Sequence, residues 1–203
     1  MTHGKPQSEV SRLHAPLPTN PLIVQSDRTL MLHTVRARVD ADGRPERDED
    51  GNPLTEEHPL FTAARDELSV FAELEKSPDY LHTYRLTSVS VWNAAAVGVT
   101  AEAIEEVLFR YACVPVPGGV VDEIRGWIGR YGLLRIERAA DGPREFELLG
   151  GEAGLLEEVL EHKAIQALCE VSDGPDGRRA FVTGIERGDL KQKLIRIGYP
   201  VDD

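Results

Sequence analysis

Apolar positions along the chain change period several times, and each change marks an element. Pro21-Leu22-Ile23-Val24-Gln25-Ser26 and Thr29-Leu30-Met31-Leu32-His33 are short apolar-rich runs separated by Asp27-Arg28, which predicts a β-hairpin. Phe61, Ala64, Leu68, Phe71 and Leu74 recur at helical spacing, so one helix is expected over Leu60–Lys76, ended by Ser77-Pro78. Leu81–Leu86 reads as a strand. Thr87 is then a good N-cap for a helix to Ala96 with Gly98 as its stop, and Thr100 caps the next. That next helix buries Ile104, Val107, Leu108 and Tyr111 and carries Glu102, Glu105 and Glu106 near its N-terminus, where the helix dipole favours acids.

Val121, Ile124, Trp127, Ile128 and Tyr131 place a third helix over Gly118–Tyr131. Alternation in Leu133–Arg138 and Arg144–Leu149, about Asp141-Gly142-Pro143, predicts a second hairpin. Beyond a hinge at Gly150–Gly154, Leu155, Leu156, Val159 and Leu160 give a helix. Ala167–Val171 and Ala180–Thr183 give two strands around Asp173-Gly174-Pro175-Asp176-Gly177, and Leu190, Leu194 and Ile197 a last helix stopped at Gly198 and Pro200. The fold class is therefore α+β: an N-terminal β-hairpin plus helix, a winged-helix-like middle, and an α-β-β-α C-terminal segment. The domain reading is a flexible arm over 1–20, a main domain over 21–149 with its winged-helix-like part at 87–149, and a small subdomain over 150–203.

One internal stretch breaks the pattern. Arg38 to Pro59 has no apolar period and holds Asp40, Asp42, Glu46, Asp48, Glu49, Asp50, Glu56 and Glu57 with several Gly and Pro, which reads as an acidic loop or insertion, 38–59. Asp40-Ala41-Asp42-Gly43 and Asp48-Glu49-Asp50-Gly51 have calcium-like Asp spacing but lack the twelve-residue loop and its closing Glu, so a solvated loop is favoured and no metal is expected.

Composition narrows the function classes. The chain has 203 residues, two cysteines and a net charge of −12. Two cysteines exclude a disulfide scaffold. No apolar run is long enough for a membrane helix, and the first residues resemble no signal or transit peptide, so a cytoplasmic setting is the default. The acidic balance opposes broad attraction to phosphate backbones.

Recognised catalytic motifs are missing. The sequence has no Walker A loop, no Gly-x-Ser-x-Gly elbow and no zinc-enzyme signature, so no cofactor, metal or small-molecule substrate is expected. His82 has no evident base or metal partner and reads as structural before catalytic; Cys113 and Cys169 read as core residues. In the third helix the acids Asp122 and Glu123 precede Arg125 and Arg130. The wing arginines Arg135, Arg138 and Arg144 are offset by Glu137, Asp141, Glu145 and Glu147. This is a poor electrostatic footprint for DNA, and protein binding is preferred. The last helix is more basic, with Arg187, Lys191, Lys193 and Arg196.

Several segments in order resemble a known family. They are Pro21–Leu30, Phe71–Pro78, His82–Thr87, Trp92-Asn93-Ala94, Arg130-Tyr131-Gly132, Leu156–Leu160, Glu186-Arg187-Gly188, Lys191-Gln192 and Ile197–Pro200. Together they are similar to the N-terminal region of bacterial XPB-type DNA repair helicases, with 38–59 as an insertion. In that family the region precedes an ATP-dependent 3′-to-5′ helicase core, whose Walker A and DEAH-type motifs have no counterpart here. The resemblance implies a regulatory, partner-docking role linked to DNA repair; in eukaryotic relatives the region docks onto a subunit of TFIIH.

The leading expectation is thus a non-catalytic interaction module, not an enzyme. Its partner would be a protein such as a repair helicase or nuclease, with only weak DNA contact and no membrane. The candidate contacts are Gln25, Asp27 and Arg28 on the hairpin, His82, Tyr84 and Arg85 on the strand, and Lys191 and Arg196 on the last helix. The alternative is a winged-helix DNA-binding protein or transcription regulator using Arg125, Arg130, Arg135, Arg138 and Arg144.

Overall fold

The computed structural model describes residues 15–174 and 177–202. Most of the expected arm and the centre of the 173–177 turn lie outside them. The fold is α+β, and it divides into two compact units, Met1–Arg125 and Gly126–Asp203.

In the first unit β1 (Leu22–Val24) and β2 (Thr29–His33) form the expected hairpin, with Leu22 opposite Leu32 and Val24 opposite Leu30. β2 continues onto β6 (Leu81–Arg85) and that onto β5 (Glu73–Lys76), giving sheet order β1-β2-β6-β5. Helices α1 (Phe61–Leu68) and α3 (Ala101–Tyr111) pack on this sheet and on each other, burying Leu30, Leu68, Phe71, Tyr84, Ile104 and Leu108 almost completely. Of the expected arm's described end, Leu17 N–H and the Asn20 amide both donate to Ala112 O.

The first helix is shorter than its period. Helical spacing continues through Phe71 and Leu74, yet α1 ends at Ser69, whose hydroxyl donates to Asp66 O at 2.7 Å. The chain turns so that Phe71 enters the core, and Glu73-Leu74-Glu75-Lys76 is taken up as an edge strand by β6. Backbone pairing to a neighbouring strand outweighs local helix propensity here. Helix α2 (Ser88–Ala96) opens on the expected cap. Thr87 Oγ1 accepts from Ser90 N–H at 3.0 Å while Ser90 Oγ accepts from Thr87 N–H at 3.1 Å, a reciprocal capping box. Thr100 caps α3 from one side only, its Oγ1 accepting from Ala103 N–H at 3.2 Å.

The acidic stretch is more ordered than a loop. Its end, β4 (Thr55–Glu57), pairs with β3 (Val35–Ala37). Asp40 Oδ1 accepts from the N–H groups of Asp42 and Arg44, and Asp48 Oδ1 from those of Asp50 and Asn52. The same turn is therefore built twice, eight residues apart, with Gly43 and Gly51 supplying the left-handed residue at φ 78° and 84°. The Asp-x-Asp-Gly spacing serves turn formation: each first Asp is committed to backbone donors. Those donors hold the Asp48 carboxyl below its ordinary value, the bond from Asn52 most of all.

Helix α4 (Gly118–Arg130) crosses the boundary between units. In the second unit β7 (Leu134–Arg138) and β8 (Phe146–Gly150) form the second expected hairpin. They sit inside a five-stranded sheet, flanked on one side by β11 (Val201–Asp202), which runs parallel to β7, and on the other by β10 (Gly177–Val182) and then β9 (Glu170–Gly174). Helices α5 (Leu155–Leu160), α6 (Lys163–Gln166) and α7 (Arg187–Arg196) supply the rest of this core, through Leu155, Val159, Leu160, Ile165, Leu190 and Leu194. The strand expected over Ala167–Val171 is displaced: Lys163–Gln166 is helical, Leu168 N–H closes a turn onto Ile165 O, and pairing begins only at Glu170.

Candidate partner-docking site

The β1–β2 turn brings three of the expected contact residues together. Gln25 N–H donates to Thr29 O at 2.9 Å and Arg28 N–H to Gln25 O at 3.0 Å, closing the turn. Asp27 Oδ1 accepts from Thr29 N–H at 3.0 Å, and this bond holds the Asp27 carboxyl below its ordinary value. Arg28 has φ 72°, the only non-glycine among the described residues in the left-handed region. Its backbone stays tied, since Leu86 N–H donates to Arg28 O at 3.0 Å. Its guanidinium lies 3.7 Å from Glu123, with both side chains nearly half exposed.

Arg85 joins this cluster from β6, where it stands opposite Thr29. Its Nε donates to Glu75 Oε1 at 2.7 Å and its Nη1 to Asp27 O at 3.3 Å. The hydrogen bond to Glu75 raises the Arg85 pKa, so the group is cationic at any ordinary pH. Thr87 donates to Glu73 at 3.0 Å beside it. Gln25, Asp27, Arg28 and Arg85 thus form a fixed, solvent-facing polar surface at one end of the sheet. Glu73, Glu75 and Glu123 complete it; in the sequence Glu123 reads only as an acid of the third helix, and Glu73 and Glu75 are not named as contacts. Only the alternation of Glu73-Leu74-Glu75-Lys76, read as a strand, points to two of them.

Tyr84 and His82 lie on the opposite face of β6, following the two-residue alternation of a strand. Tyr84 is a core residue, 2% exposed, and burial pushes its hydroxyl pKa up. His82 packs edge-on against Phe61 with ring centroids 5.1 Å apart, and its Nδ1 is buried without a hydrogen-bond partner. It borders a cleft of about 330 Å³ with Arg65, Glu57 and Asp79 on its walls. The two residues are therefore not part of the turn cluster.

On α7, Lys191 is partly buried, and burial lowers its pKa; Arg196 is exposed at the helix end. The arginines of the DNA reading are largely engaged within the chain. Arg125 Nε and Nη2 donate to the two carboxylate oxygens of Glu105 at 2.6 and 2.7 Å. Arg144 binds Glu170, Glu186 and Leu168 O. Arg130 lies over the Tyr199 ring and Arg138 over that of Phe146, while Arg135 pairs with Glu137 at 3.4 Å. Among the described residues no cluster of His, Cys, Asp or Glu could hold a metal ion, and no helix is long and apolar enough to cross a membrane.

Comparison with known proteins decides the family. Residues 48–171 match the helicase conserved C-terminal domain. The chain belongs to that family. It is also similar to two bacterial proteins named DNA 3′-5′ helicase XPB. It is 33% identical to that of Kineococcus radiotolerans over 183 residues, 90% of this chain and 28% of the relative. It is 34% identical to that of Mycobacterium tuberculosis over 184 residues, 90% of this chain and 29% of the relative. The XPB helicase/translocase subunit of general transcription and DNA repair factor IIH from Schizosaccharomyces pombe is 31% identical over 54% of this chain and 13% of its own length. The chain spans less than a third of these relatives. The relationship to XPB-type helicases read from the ordered motifs is established. The expectation that the chain is not an enzyme is corrected: this helicase family and the relatives' names are those of enzymes, and motifs missing from a chain that spans so small a share of its relatives say nothing against it.

Proposed function

We propose that this chain serves an XPB-type, ATP-dependent 3′-to-5′ DNA helicase in DNA repair, as the region that docks a regulatory protein partner on the β1–β2 turn. The observation that carries this reading is Arg28. A left-handed conformation costs an ordinary residue about 1–2 kcal/mol, and glycine would remove the penalty. Arginine is nonetheless held there, with its head group turned outward beside Glu123. Backbone strain of this kind concentrates where a side chain must be presented. The surrounding bonds from Asp27, Thr29 and Arg85 fix the surface before any partner arrives, which lowers the ordering cost of binding.

The winged-helix DNA-binding reading has less support. The β7–β8 hairpin that would be the wing is flanked by β11 and β10, and Arg125 and Arg144 already spend their donors on carboxylates. Capture from nuclease-treated lysate of the source organism tests the docking reading, using wild type and Arg28→Gly in parallel. The expected result is a helicase or nuclease retained by wild type and lost by an equally well folded Arg28→Gly chain. Identical captured proteins for both chains would overturn it.

A further inference from the structure

Beside α6 and α7 lies a cavity of about 360 Å³ whose character differs from that of the rest of this acidic chain. Its floor is Ala164, Ile165 and Ile197, and its exposed surface is almost wholly carbon. Its rim is Lys163, Lys193 and Arg196, with His162 beside them and no carboxylate among the lining residues. Lys193 is paired with Asp189 at 2.5 Å, whereas Lys163 and Arg196 make no ion pair with another described residue. Lysine and arginine around such a floor lay their methylene stems along it and keep their charges at the mouth.

We infer that this cavity is a docking site for a short acidic peptide segment that carries one aromatic or aliphatic side chain between carboxylates. The apolar side chain fills the floor, and the flanking carboxylates meet Lys163 and Arg196. A nucleic-acid backbone fits less well on two counts. Its charged oxygens would be laid against hydrocarbon, at a desolvation cost nothing repays. A long polyanion also runs beyond the cationic rim onto a chain of net charge −12, whereas a short segment stays within one screening length of the rim, about 8–10 Å. This inference goes beyond the docking role of the β1–β2 turn and does not depend on it.

The test is fluorescence anisotropy with the full chain and a labelled synthetic peptide of sequence Asp-Glu-Asp-Phe-Glu-Asp-Asp. A second peptide carries Ser for Phe, and a thymidine oligonucleotide of similar charge serves as the nucleic-acid probe. Wild type is expected to bind the Phe peptide and to prefer it clearly over both other probes. Combined Lys163→Glu and Arg196→Glu, both exposed, should weaken binding at least about tenfold, since each replaces an attraction for the peptide's carboxylates by a repulsion. Ala164→Trp, which fills the floor without changing charge, should weaken it as well, while Arg28→Gly should leave it intact. Failure of wild type to bind the Phe peptide, equal binding of the Phe and Ser peptides, or unchanged affinity in the charge variant would overturn the inference. So would preferred binding of the oligonucleotide through the same two residues, which would make this a nucleic-acid surface.

Discussion

Glu105 is completely buried, and Arg125 reaches down from a half-exposed position to bind both of its carboxylate oxygens, at 2.6 and 2.7 Å. The pair joins α3 to the middle of α4. The bidentate geometry satisfies the anion where no water reaches it, and the hydrogen bond in turn raises the Arg125 pKa.

Breaking this pair from one side should be far worse than removing it. Arg125→Met leaves Glu105 buried and unpaired, and is expected to cost about 2–4 kcal/mol, somewhat less than a fully buried pair because Arg125 is partly solvated. Glu105→Met with Arg125→Met should recover most of that loss. Urea unfolding of the two variants checks this; equal destabilisation would show that the carboxylate finds another partner.

The Asp27 turn carries its own pH dependence. Hydrogen bonding from Thr29 places its native pKa below the ordinary 3.8, so the unfolded carboxyl takes up a proton first as pH falls. The contribution is complete above about pH 5 and is lost as pH falls through the lowered native value. The protection of the Thr29 amide, taken relative to its intrinsic exchange rate at each pH, should fall across that window in wild type. Asp27→Asn should show faster exchange already at neutral pH and no further acid-induced step. A wild-type exchange profile free of any such step would contradict the hydrogen-bonded carboxylate.

The elements that proved legible are those whose signal is local. The β1–β2 hairpin is written in two apolar runs about a polar pair, and the caps at Thr87 and Thr100 in residue types that bind the third N–H ahead. What stayed hidden depends on partners far along the chain. Glu73–Lys76 becomes a strand only because β6 is present, and Val201–Asp202 only because β7 offers it an edge. In the candidate site Asp27 and Arg28 are named as polar residues of a predicted turn, and Arg85 as a contact on the predicted strand Leu81–Leu86. Tyr84 and His82 are expected on that same strand, but alternation sends them to the face opposite Arg85. The engagement of Arg125 by Glu105 is hidden for a related reason: in the sequence Glu105 reads as one more acid at a helix start.

Cys169 should be the slower of the two questions a thiol reagent asks of this chain, folded against unfolded. Burial pushes its pKa up to about 11, with Arg144 only partly opposing the shift. At about pH 8 only on the order of a thousandth of the folded thiol is ionised, against a substantial fraction in an unfolded chain whose cysteine pKa is near 8.5. Iodoacetamide should therefore label Cys169 far more slowly in buffer than in denaturant, as read by peptide mass spectrometry. Equal rates would mean that the second unit opens around β9 faster than the reagent reacts.

The second hairpin turns on Gly142. It was expected as a turn glycine, and its φ of 119° is one that side chains rarely adopt, but the packing demand is more severe. A Cβ at this position would fall onto the ring of Phe181, in hard overlap with its edge. That ring cannot easily yield: Phe181 is 1% exposed, and Arg179 covers its face at 4.8 Å while binding both oxygens of Glu147. Gly142→Ala is accordingly expected to cost about 2–4 kcal/mol, combining backbone strain with overpacking. Relieving the overlap by Phe181→Leu in the same chain should return part of that loss, although Phe181→Leu alone destabilises. A double variant no more stable than the sum of its parts would assign the whole effect to the backbone conformation at Gly142, with the Phe181 contact contributing nothing.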